Sequence, residues 1–165
     1  MKLISMRSQL RAFQTAHSGA PDPAFEADLA LLRHKDLDLS IKLGALLAFD
    51  ALLMTVGVNP ISASPGAPMS LDARADPAIV LACLMGLAIL MLAAMGCVRG
   101  ILIGEDVGGE GLGEDPRAHI QRVFAAYAVA IDAQARVLAQ AGWLTVLGGA
   151  VSTAACVWAV IDKFI

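Results

Sequence analysis

Residues 43–58, LGALLAFDALLMTVGV, constrain the fold more than any other stretch of the chain. Sixteen residues pass with one ionisable side chain, Asp50, near their middle. A hydrocarbon core about 30 Å thick is crossed by roughly 20 mostly apolar helical residues. Leu39, Ile41 and Ile61 extend the run to that length. Two further runs match it, residues 78–98 (AIVLACLMGLAILMLAAMGCV) and 143–161 (WLTVLGGAVSTAACVWAVI). The first of these argues against a soluble helical bundle. It holds no charged or strongly polar side chain, whereas a soluble helix needs a polar face. Charged residues make up 16% of the chain, against about 25% in soluble domains, and the deficit is concentrated in these three blocks.

Lysine and arginine counts orient the spans. Six precede the first span (Lys2, Arg7, Arg11, Arg33, Lys35, Lys42), one lies in the next connector (Arg74), four in the one after (Arg99, Arg117, Arg122, Arg136) and one at the end (Lys163). The alternation places the N-terminus and the second connector in the cytoplasm. Residues 1–9 carry no apolar h-region, so the first span itself serves as the insertion signal. The plasma membrane of a bacterium, its inner membrane, is the expected location.

The expected fold is an all-α membrane protein, three transmembrane helices with a cytoplasmic helical stalk. Residues 1–42 form cytoplasmic N-terminal helices, the first over 2–17 as a basic amphipathic helix lying on a surface. Asp22-Pro23 signals a helix start, and no breaker follows until Asn59-Pro60. Residues 43–103 form a transmembrane hairpin with spans at about 43–60 and 78–99, joined by a proline-rich loop. Residues 104–141 hold a glycine-rich acidic hinge and, from Asp115-Pro116, an amphipathic helix leading into the last span, 142–165. Its stripe of Ile120, Val123, Phe124, Tyr127, Ile131 and Leu138 needs a partner. The front half of the preceding long helix, with Phe25, Leu29, Leu32 and Leu39, offers one. Asp38–Lys42 and Asp132–Arg136 are four apart and can pair.

Asp50 is the candidate intramembrane functional residue, because a carboxylate in mid-membrane is costly unless protonated, paired or hydrated. It either lines a proton or cation path, makes a contact between subunits, or is a neutral acid held by Thr55 or by the backbone of a neighbouring helix. Gly148, Gly149 and Ser152 are small residues that allow close helix packing. The histidines are scattered and no nucleophile, phosphate-loop or metal-ligand motif is present, so no enzyme, cofactor or metal is expected. The three cysteines lie inside spans without CxxC spacing and read as apolar packing. A net charge of −3 points to no nucleic-acid partner.

The segment SIKLGALLAFD (residues 40–50), the second span with its polar linker, and QRVFAAYAVAIDAQARVLAQAGWL (121–144) together resemble the Pycsar-type transmembrane effectors of bacterial nucleotide-signalling antiphage systems. In that family a charged helix enters the first span through a lysine and meets a later Asn or Asp. Lys42 and Asp50 fall at those positions, and Ser40 stands where the family usually has Asp. The resemblance covers most of residues 24–161. It implies a homo-oligomer in the lipid bilayer that responds to a cyclic nucleotide and impairs membrane integrity during phage infection. Arg33, Lys35, Lys42, Arg122 and Arg136 are the basic groups available to such a ligand. An accessory subunit docking a partner protein, and a small oligomeric proton or cation channel, are the alternatives.

Overall fold

The structure is a computed structural model that describes residues 23–62, 71, 76–105 and 116–164. Among them are three helices and no strand: α1 (Pro23–Ser62), α2 (Pro77–Glu105) and α3 (Pro116–Phe164). Each contains a stretch long and apolar enough to cross a membrane, within Ala27–Pro60, Pro77–Ile103 and Phe124–Asp162. The chain is an all-α membrane protein. The amphipathic helix expected over residues 2–17 and the acidic hinge before Pro116 lie outside the described residues, as does nearly all of the proline-rich loop.

All three helices begin at a proline preceded by aspartate: Asp22-Pro23, Asp76-Pro77 and Asp115-Pro116. Proline suits the first helical position because no N–H is needed there. At the second start the Asp76 carbonyl accepts the Val80 N–H at 3.1 Å. The expected break at Asn59-Pro60 does not occur, and α1 continues to Ser62. Pro60 falls in the last turn, so its missing N–H removes only the bond to the Val56 carbonyl. Its own carbonyl accepts the Leu71 N–H at 3.1 Å, so Leu71 lies at the helix end.

The helices contribute to two compact units. One draws on Gly44–Val98 and Ala139–Ile165 and holds the apolar runs. Its inward residues on α2 are Ile79, Cys83, Gly86, Leu90, Ala93 and Cys97, spaced alternately by four and three. On α3 they are Ala141, Thr145, Gly148, Ser152, Ala155 and Ala159, with the same spacing. This is the 3.5-residue period of a helix seam. Size, more than hydrophobicity, distinguishes the seam. Leu81, Met85, Met91, Leu92, Met95 and Trp143 face outward while Gly, Ala, Cys, Ser and Thr dominate inside. In lipid, helices gain nothing by hiding apolar surface from one another, so association rests on close packing, which small residues permit.

The second unit draws on Met1–Leu43 and Arg99–Leu138. Here Phe124 and Ile131 of α3 bury against Leu32 of α1, with Leu29 and Leu39 packed around them. The stripe of α3 thus meets the front half of α1. At the other end of this unit Gly100 brings α2 close to both partners. A Cβ added there would lie 2.8 Å from Leu43 Cδ1 and 3.1 Å from Val137 Cγ1. The Leu32–Phe124–Ile131 cluster is small, so one truncation should be felt throughout it. Phe124→Ala is expected to destabilise this unit by about 3–5 kcal/mol. Amide hydrogen exchange on the protein in nanodiscs checks this: residues 27–39 and 124–138 should lose protection while the seam of the other unit keeps it.

Candidate functional site

The most polar point inside the apolar unit is Asp50, which is 0% exposed. It occupies the position on α1 seven residues from Leu43 and seven from Gly57, both buried, so the seam period itself turns the carboxylate inward. Its partner is Thr145 of α3, whose Oγ1 lies 2.7 Å from Asp50 Oδ1. The same hydroxyl lies 3.0 Å from the Ala141 carbonyl oxygen, one turn earlier in its own helix. Asp50 Oδ2 is buried and has no hydrogen-bond partner among the described residues. Thr55, the partner considered from sequence, instead donates to the Ala51 carbonyl at 2.9 Å on the exposed side of α1. The acid therefore faces protein, and it joins α1 to α3.

One further turn or two along, three helices meet at Gly57, Gly86 and Ser152. A Cβ on Gly86 would collide with Ser152 Oγ and would lie 3.0 Å from the Ser152 backbone nitrogen and 3.2 Å from its Cα. A Cβ on Gly57 would sit 3.3 Å from Leu87 Cδ2. The contact is reciprocal, because Gly148, four residues before Ser152, receives Leu90, four residues after Gly86. There an added Cβ would fall 2.9 Å from Leu90 Cγ and 3.1 Å from its backbone nitrogen. Gly149 points toward α1, with Leu53 Cδ1 at 3.4 Å, an ordinary contact. Gly148 and Ser152 are thus consumed in packing within the chain.

The basic candidates all lie in the other unit, spread along α1 and α3. Arg33 and Arg122 are exposed, as is Lys35. Nine residues separate Arg33 from Lys42 along α1, about 14 Å, and fourteen separate Arg122 from Arg136 along α3, about 21 Å. Lys42 Nζ donates to Asp38 Oδ2 at 2.6 Å. Arg136 Nη2 lies 3.2 Å from Asp132 Oδ2, and its Nε donates to the Asp132 carbonyl at 3.2 Å. Both of these are the four-apart pairs expected from sequence. The structure brings Lys42 and Arg136 to one level, through the contact of their neighbours Leu43 and Val137 across Gly100.

Sequence reasoning missed Gln134. It is 0% exposed, and neither Oε1 nor Nε2 has a hydrogen-bond partner among the described residues. An unsatisfied buried amide costs roughly 1–3 kcal/mol. Oδ1 of Asp36 in the same unit is also buried without a partner among the described residues. The signal was available, since Gln134 lies three residues after Ile131 and four before Leu138, on the stripe itself. Comparison with protein-family models, with curated proteins and with solved structures finds no match to this chain.

Proposed function

We propose that this chain is a non-enzymatic effector of the bacterial inner membrane, with a cytoplasmic N-terminus, that self-associates and impairs membrane integrity when its helices outside the bilayer sense a cyclic nucleotide. The observation that carries the reading is Gln134. The unit holding the basic candidates has a wholly buried, unsatisfied amide in its seam, so its resting packing is weakly held. A sensing element has to be of this kind, because a ligand shifts an equilibrium only between packings of similar free energy. The same three helices thread the apolar unit, so a change in one packing has a covalent route to the spans. Antiphage defence and the nucleotide itself rest on the family resemblance.

The test is membrane potential and growth of a bacterium expressing the chain, with and without cyclic nucleotides. Nucleotide-dependent depolarisation is the expected result. It should weaken when Arg33, Lys35 and Arg122 are replaced by glutamine. Depolarisation without nucleotide would favour a conducting oligomer. A protein that reaches the membrane and has no effect would sink the effector reading.

A second reading, an accessory subunit docking a partner protein, is favoured by one observation. Leu31, Leu37, Ile41 and Val129 are each more than half exposed in the unit that lacks the long apolar runs.

A further inference from the structure

Lys42, Arg99 and Arg136 each immediately precede a residue of one three-way contact, Leu43, Gly100 and Val137. That contact fixes the axial level of three helices at once. All three cations therefore lie within about a residue's rise of one plane, one on each helix, and all three are exposed. The apolar run of α1 begins at the residue after Lys42, and the run of α2 ends at the residue before Arg99. The plane thus coincides with the edge of the apolar runs of α1 and α2, while on α3 Arg136 lies seven residues before the run that begins at Trp143.

The acidic neighbours are arranged with a direction. Asp38 and Asp132 lie one turn further from the apolar runs than Lys42 and Arg136, which they pair. Each pair presents its positive end toward the membrane. Arg99 has no ion-pair or hydrogen-bond partner among the described residues. Its guanidinium, with five donors in a planar fork, matches phosphate geometry and is free to meet one.

We infer that Lys42, Arg99 and Arg136 form a ring that binds phosphate groups of anionic phospholipids at this face of the membrane, with Arg99 as its principal ligand. Charge complementarity and position decide the occupant. The ring lies at the height of headgroup phosphates, and three exposed cations around the outside of a three-helix bundle face lipids, not a shared pocket. The inference rests on the membrane spans and stands whether or not the chain senses a nucleotide. It also withdraws Lys42 and Arg136 from the groups available to a soluble ligand, leaving Arg33, Lys35 and Arg122.

The test is native mass spectrometry of the full chain released from mixed phosphatidylglycerol and phosphatidylcholine vesicles. Retention of phosphatidylglycerol over phosphatidylcholine is expected. The preference should fall about fivefold for Arg99→Gln, as expected for a cation near an anionic surface, and by less for each of Lys42→Gln and Arg136→Gln, whose charges Asp38 and Asp132 partly offset. Arg74→Gln, in the connector between α1 and α2, should leave it unchanged. The Lys42, Arg99 and Arg136 side chains are exposed, and thermal unfolding in detergent confirms that all the variants fold. Equal retention of the two lipids would overturn the inference, and so would an Arg74→Gln loss as large as that of Arg99→Gln. Displacement of phosphatidylglycerol by millimolar inorganic phosphate or cyclic nucleotide would also overturn it, by assigning the ring to a soluble phosphate.

Discussion

Gly86→Val is expected to stop α2 and α3 from packing, and with it to abolish a stable apolar unit. The obstruction is at the Cβ atom, which any side chain but glycine's places in the same position. It would meet the backbone nitrogen and Cα of Ser152, so no rotamer change relieves it. Valine adds two methyl groups at the point where Gly57 of α1 also closes in. Overpacking in a core typically costs 1–3 kcal/mol. A collision with backbone in a reciprocal contact, where Leu90 must stay seated on Gly148, belongs at or above about 3 kcal/mol. The measurement is the folded fraction after detergent extraction, with the thermal midpoint of what survives. Gly142→Ala is the matched control. A Cβ there meets nothing within 4 Å, so it should be neutral or slightly stabilising. Equal behaviour of the two variants would mean that α2 and α3 do not pack through Gly86.

That contact also shows what a sequence discloses about such a fold and what it withholds. The three spans were legible because long apolar runs have few alternatives. Two of the three helix starts were read from Asp-Pro pairs, and the third, Asp76-Pro77, carried the same signal unread. The seam was harder. In a soluble helix the inward face announces itself by hydrophobicity, but these helices are apolar on every side. Their inward face differs by being small, as Gly86, Ala93 and Cys97 do beside Met85, Leu92 and Met95. Gly148 and Ser152 carried that signal, while their partners on α2 did not stand out within a uniformly apolar run. The axial level of a side chain was beyond reach, since it depends on which residues of three helices meet. For that reason Arg99 entered the sequence argument only as a positive charge. Its place in one plane with Lys42 and Arg136 follows from the contacts of Leu43, Gly100 and Val137.

Asp50→Asn is expected to leave the fold nearly intact, whereas Thr145→Val is expected to weaken it. Thr145 has one hydroxyl hydrogen and two acceptor oxygens near it, Asp50 Oδ1 at 2.7 Å and the Ala141 carbonyl at 3.0 Å. With Asp50 ionised, the one hydroxyl hydrogen must be shared between both acceptors; with a proton on Asp50 Oδ1, each contact is a full hydrogen bond. The acid then donates to Thr145, and Thr145 donates to Ala141. Oδ2 becomes a carbonyl oxygen without a partner, a far smaller cost than an ionised oxygen without one. Asparagine reproduces the donor through its Nδ2–H, so the thermal midpoint in detergent should shift by no more than a few degrees. Valine at position 145 leaves the acid's proton without an acceptor, a loss of roughly 1–3 kcal/mol. Combining Thr145→Val with Asp50→Leu removes both ends and should recover part of it. Infrared spectroscopy of the wild-type protein at neutral pH gives the direct check. The carbonyl stretch of an un-ionised carboxylic acid should be present and should vanish in Asp50→Asn. A carboxylate band in its place, with Asp50→Asn failing to fold, would mean that water or a cation reaches Asp50 inside the spans. Asp50 would then be a conducting residue and not a bond between α1 and α3.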